Sequence, residues 1–255
     1  MPKFAANLSM MFTEVPFLDR FAAAADCGFE AVEYLFPYDH PAQVVAERLQ
    51  TAGVLQALFN MPPGDWNAGE RGMAALPGRE ADFAKSLDTA ISYATTIGTP
   101  RLHMMAGLAP ARDPKAIATY RDNLKRAIDR TGEVGIGLVI EPINGRDMPG
   151  YFLSDFNQAL DFMAEMDAAH LKLQFDVYHR QIVHGDVIMG LRACAPLIGH
   201  IQIASVPDRH EPLTGELDDL RIFAEIDAIG YKGYVGCEYR PAHGTREGLS
   251  WMERV

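Results

Sequence analysis

The 255-residue sequence predicts an α/β fold: one (β/α)8 barrel spanning residues 1–255, with a short C-terminal tail. Three observations carry this expectation. Short apolar runs alternate with helical periodicities at intervals of roughly thirty residues, the length of a right-handed βαβ unit. Eight such runs can be counted, and eight units need about 250 residues to close a parallel barrel. No GxGxxG or P-loop pattern follows any of them, which weighs against the alternative of an open doubly wound sheet.

Lys3 to Ser9 reads as the first strand, and the Ala-, Leu- and Phe-rich stretch from Val15 to Cys27 as a helix closed by Gly28. Glu30 to Phe36 is the second strand, ended by Pro37. Pro41 opens the next helix, where a missing N–H costs nothing, and Gly53 closes it before the third strand, Val54 to Asn60. Met61 to Gly78 is too long and too rich in turn residues for an ordinary connection. Loops of this kind in compact domains are usually functional or mobile, and Trp66 could close over a ligand. Arg79 to Ile97 sets Phe83, Leu87, Ala90, Ile91 and Ala94 on one helical face, with Gly98 as its stop.

Arg101 to Ala106 is the fourth strand, and Asp113-Pro114 caps and starts a helix through Arg130. The remaining strands fall at Gly137 to Pro142, Leu171 to Asp176, Ile198 to Ala204 and Tyr234 to Tyr239. Helices from Asp155 to Met166, Asp186 to Cys194 and Asp218 to Ile229 separate them. Pro241 to Val255 leaves room only for a truncated or displaced final helix.

With 48% hydrophobic and 22% charged residues, the chain can build a large core and a soluble surface. Its net charge of −11 argues against a nucleic-acid partner, because polyanions are bound by positive surface. No window approaches the run of about eighteen apolar residues that spans a membrane. No signal-peptide pattern precedes the first strand, so the expected location is cytoplasmic. Cys27, Cys194 and Cys237 form no metal-like cluster and read as reduced thiols. Self-association into a homo-oligomer stays compatible with the sequence.

The chemistry concentrates at strand ends. Glu141, Asp176 and Glu238 each terminate an apolar run, and Gln202 lies within another. In a parallel barrel these carboxyl ends converge on one mouth. Period-two alternation, with Ile201, Ile203, Leu173, Phe175, Val235 and Cys237 turned toward the helices, points Gln202, Asp176 and Glu238 at the axis. Converging buried carboxylates cost several kcal/mol each unless a cation compensates them. A bound divalent metal is the economical explanation for that convergence. Oxygen donors favour Mg2+ first and Mn2+ second, with Zn2+ last. The competing reading, of single acids acting as helix caps or surface groups, has to be met three times over and leaves Gln202 aside.

The segments LVIEPIN, FDVYH, HIQIASVPDRHEP and GCEYRP resemble the hydroxypyruvate isomerase family, including the 2-oxotetronate isomerases, within the xylose-isomerase-like barrel superfamily. The opening FAANLSMMFTEVPFLDRFAAAADCGFEAVEYLFPY and the loop LFNMPPGDWNAGERG are similar to the same family, so the likeness covers nearly the whole chain. It implies a metal-dependent aldose–ketose type isomerase, with a divalent metal held by Glu141, Asp176, Gln202 and Glu238 and with Glu141 and Glu238 as the acid/base pair of an enediolate mechanism. The substrate would be a small hydroxy-oxo acid, hydroxypyruvate or 2-oxotetronate. It also implies that His179 binds a substrate oxygen. Related epimerases carry His where this chain has Gln202.

Arg209 is the candidate for the substrate carboxylate, since its planar fork binds two oxygens together. His103 is a candidate partner for the site, while Asn7 and Glu33 are weaker and stay outside the central set. Three other functions compete: a sugar 3-epimerase on the same barrel, a non-catalytic sugar-acid binding protein, and an apurinic endonuclease-like barrel. The paired glutamates speak against pure binding. Gln202 and Asn60, standing where a His-rich zinc site would want histidines, speak against the nuclease.

Overall fold

The computed structural model describes residues 1–255. Its eight strands, all parallel, close into a barrel in chain order. They are β1 (Lys3–Asn7), β2 (Ala31–Tyr34), β3 (Leu55–Asn60), β4 (Arg101–His103), β5 (Gly137–Ile140), β6 (Leu171–Asp176), β7 (Ile198–Ile203) and β8 (Tyr234–Cys237). By backbone proximity the chain divides into two compact units, Met1–Ala57 with Phe175–Val255, and Leu58–Gln174. No helix is long and apolar enough to cross a membrane.

In the first unit, α1 (Arg20–Asp26) and α2 (Ala42–Ala52) follow β1 and β2. Gly53 ends α2 in the left-handed conformation that a side chain would resist. Small residues line up across the inner face: Ala5 lies opposite both Ala31 and Gly236, and Gly236 opposite Gln202. The alternate residues are large and pack outward. Phe4 meets Phe223 and Trp251 edge-on, and Tyr34 meets Phe17 and Phe21. Small inward and bulky outward residues leave space on the axis for long polar side chains, and β2, β7 and β8 use it that way.

After β6 the chain enters α6 (Val177–Val183), then α7 (Val187–Cys194); α8 (Asp219–Ala228) precedes β8. The sequence predicts no helix at α6. Asp176 caps it, its Oδ1 accepting from the amides of Tyr178 at 2.7 Å and His179 at 3.2 Å. The tail folds as one turn, α9 (Thr245–Gly248), and a 3-10 segment, Leu249–Arg254. Trp251 is buried there, donating to the Tyr239 hydroxyl at 3.2 Å. This is the displaced final helix the sequence leaves room for.

In the second unit the register sets Asn60 beside His103 and His103 beside Val139. Alternation then puts Glu141, two residues beyond Val139, on the face that carries Asn60 and His103. β4 stops at His103, earlier than its apolar composition suggests. Beyond Met104 the backbone turns to other partners, with Ala106 bridging Gly72 and accepting from Ala75. That pairing ties down the loop predicted from Met61 to Gly78. Asn123 of α4 (Pro114–Glu133) also holds it, donating to the Ala74 carbonyl. Trp66 is stacked under the Arg71 guanidinium at 3.8 Å and is half-buried. α3 (Glu80–Ile97) and α5 (Phe156–Met166) complete the unit.

Candidate active site

Asp176 ends β6, and its two oxygens are used differently. Oδ1 caps α6, whereas Oδ2 is buried and accepts no hydrogen bond. The His179 Nε2 lies 3.6 Å from it and the Arg209 Nη2 3.7 Å. Helix cap and buried inward acid, alternatives at the level of sequence, are therefore the same residue. Glu238 follows β8 and accepts from Arg209 Nη2 at 2.6 Å and from Asn7 Nδ2 at 3.4 Å. Asp176, His179 and Glu238 are each at most 5% exposed, and each offers a ligand atom within 4.8 Å of the others.

Burial raises the Asp176 carboxyl, with Arg209 and the capping amides of His179 and Tyr178 opposing it. Burial likewise pushes Glu238 up to about 8; Arg209 pulls it down, and the charges of Asp176 and Glu33 push it further up. Two neighbouring carboxyls that resist ionisation, beside a buried oxygen with no donor, are the groups a divalent cation would satisfy. The donor set fits such an ion, with a ring nitrogen from His179 beside the carboxylate oxygens. The sequence anticipated oxygens alone and gave His179 to substrate.

Arg209 rides on a loop braced on both sides. Its own amide donates to the Ser205 carbonyl, and its carbonyl accepts from Arg240 just past β8. Glu211, two residues on, accepts the Ala242 amide. These links join the VPDRHEP and CEYRP stretches, so both segments together aim one guanidinium. Arg209 adopts a left-handed backbone, φ +56°, and its guanidinium lies 4.8 Å above the Tyr178 ring.

Gln202 faces inward, as the alternation predicts: its amide nitrogen donates to Glu33 Oε1 at 2.7 Å. Glu33 also accepts from Asn7 Nδ2 at 3.0 Å and lies 2.5 Å from His200 Nε2. The sequence reading set Asn7 and Glu33 aside and did not consider His200, yet all three are buried at the centre of this network. A usable signal was present: a lone acid in the apolar run AVEY, with a glycine in the facing strand GCE. In the second unit Glu141 is 4% exposed and its Oε2 lies 3.7 Å from His103 Nε2, so His103 accompanies the acid. Burial raises the thiols of Cys237, Cys194 and Cys27, none of which is in a disulfide.

Residues 21–255 match the family model described as "Xylose isomerase-like TIM barrel". The chain is 56% identical over 255 residues to a 2-oxo-tetronate isomerase of Cupriavidus necator, covering 99% of this chain and 98% of that one. It is 42% identical to the hydroxypyruvate isomerase of Escherichia coli over 99% of both. A crystal structure titled AP endonuclease, family 2, from Brucella melitensis superposes with a TM-score of 0.97 at 46% identity, over 100% of this chain and 99% of that one. The chain belongs to the xylose isomerase-like TIM barrel family, in its hydroxypyruvate and 2-oxo-tetronate isomerase branch.

Proposed function

We propose that residues 1–255 work as one catalytic domain. It interconverts a small hydroxy-oxo acid and its carbonyl-shifted isomer: hydroxypyruvate and tartronate semialdehyde, or 2-oxotetronate and 3-oxotetronate. The observation that carries the reading is the buried trio Asp176, His179 and Glu238, with the Arg209 guanidinium at its edge. The names of the relatives at 42% and 56% identity supply the substrate class.

Glu141 and Gln202 complete the proposed ligand set with Asp176 and Glu238, and His179 lies close enough to join it or to hold a substrate oxygen. A bound divalent cation, Mg2+ with Mn2+ as the alternative, would supply charge stabilisation for an enediolate. Glu141 and Glu238 belong to non-adjacent strands, which suits a relay from two sides of the substrate. One carboxylate takes the proton from the carbon beside the carbonyl; the other carboxyl returns one to the former carbonyl carbon, and the hydroxyl proton moves between the two oxygens. Arg209 would leave Glu238 for the substrate carboxylate, exchanging one charge-assisted pair for another.

The test is product formation and solvent-deuterium exchange with both acids, with and without chelator. Glu141→Gln and Glu238→Gln are each expected to lower kcat by at least about a thousandfold, in line with loss of a proton-transfer group. Full exchange in Glu141→Gln would sink the relay. Arg209→Ala separates this reading from neutral-sugar epimerisation: turnover of an oxo acid should fall about a hundredfold or more, roughly 3 kcal/mol for a lost charge-assisted pair. An unchanged rate would favour the epimerase.

A further inference from the structure

We infer that Tyr178 is a positioning residue: its ring seats the Arg209 guanidinium, so that the arginine keeps its place while its hydrogen bonds pass from Glu238 to a substrate carboxylate. This rests on the carboxylate reading of Arg209 given above. Arg209 is held in two physically different ways. Its Nη2 donates to Glu238 Oε2 at 2.6 Å and its Nε to the Glu238 carbonyl at 3.3 Å. Its guanidinium carbon lies over the Tyr178 ring, 4.8 Å from the centroid. Hydrogen bonds weaken steeply when bent, whereas the ring attracts the whole delocalised cation through its negative face. A guanidinium that turns from one carboxylate to another gives up the first kind of contact and keeps the second.

The ring has a fixed place. Tyr178 is buried at the start of α6, where its amide donates to Asp176 Oδ1 at 2.7 Å, and its ring meets that of His179 edge-on at 5.4 Å. The seat is thus part of the same turn that carries Asp176 and His179. Arg209 sits on the loop after β7, and its side chain is still 14% exposed, within reach of a ligand. Ordering so long a side chain costs rotamer entropy. A ring that holds it before substrate arrives lowers what binding must still order.

The experiment measures KM and kcat for hydroxypyruvate and 2-oxotetronate, alongside melting temperature, on wild type, Tyr178→Phe, Tyr178→Leu, Arg209→Ala and the Tyr178→Leu/Arg209→Ala double variant. Tyr178→Leu should raise KM about tenfold, the size of a desolvated cation–ring attraction. Its kcat should stay within about twofold of wild type, because the contact is made in ground state and transition state alike. Tyr178→Phe keeps the ring and should match wild type, whereas trifluorophenylalanine at the same position, whose fluorines drain the negative face, should raise KM toward the leucine value. Tyr178→Leu should add nothing in the Arg209→Ala background. A Tyr178→Phe loss as large as that of Tyr178→Leu, a fluorinated ring that behaves like Phe, or equal losses in both backgrounds would overturn the assignment and leave Tyr178 a packing residue. Should Tyr178→Leu not fold, Tyr178→Met, which fills the space flexibly without a ring, carries the same prediction. Full turnover by Arg209→Ala is the separate result that removes the carboxylate reading itself, and the seat with it.

Discussion

Opposed forces act on the Glu238 carboxylate: burial and the charges of Asp176 and Glu33 favour its neutral form, and Arg209 favours its anion. With the group raised to about 8, most of it holds a proton at pH 7, and a cation binding there must expel that proton. Mn2+ binding at pH 7 is therefore expected to release close to one proton. The release should shrink as pH rises through 8, where the site is already ionised. Titrations in two buffers of different ionisation enthalpy measure it, and zero release at pH 7 would mean that Glu238 is not at the cation. As buried acids at strand ends, Glu141, Asp176 and Glu238 were legible in the sequence because each interrupts an apolar run at its end. Glu33 interrupts an apolar run in the same way, but the network around it was not legible, because its donors lie 26 to 169 residues away along the chain.

Elements were readable where periodicity was long and missed where capping decides. The seven residues of α6 carry too few turns to show an apolar stripe; the helix exists because Asp176 satisfies its first amides. Strand ends ran too long for a related reason: composition continues after the ladder stops, as at β4. A side-chain bond to a backbone amide also fixes the loop that carries Arg209. Asp219, at the start of α8, accepts the Leu213 amide at 2.6 Å, while its other oxygen is buried with no donor. Burial raises its carboxyl to about 6, opposed by the Leu213 amide. The native state thus binds a proton between about pH 4 and 6 that the unfolded chain has released, so the wild-type contribution falls as pH rises through that window. Asp219→Asn does not titrate. Its stability relative to wild type should rise by on the order of 3 kcal/mol at most from pH 4 to 7. Denaturant midpoints at the two pH values test this; a flat difference would show that Asp219 is ionised throughout.

For the molecule as a whole, alternation and strand count were enough to anticipate closure, since eight parallel strands with short connections have few other arrangements. What they could not supply is the electrostatic state of the interior, which depends on side chains meeting across strands. Glu33, Glu141, Asp176 and Glu238 are all at least nine-tenths buried. Arg209 neutralises part of that charge, pairing with Glu238 and lying 3.7 Å from Asp176. A cation that binds the native state alone adds stability in proportion to the logarithm of its saturation, about 2.7 kcal/mol at a hundred times Kd. For a chain of this size each kcal/mol moves the melting temperature by about 2–4 °C. Mn2+ at that concentration should therefore raise it by roughly 5–10 °C, and chelator should return it. Glu141→Gln and Glu238→Gln keep the shape of each side chain and remove its capacity to ionise. Both should lose most of the Mn2+ shift. A Glu141→Gln variant that keeps the whole shift would take Glu141 out of the ligand set while leaving its part in proton transfer to the exchange experiment, so the two proposed duties of that carboxylate can be separated.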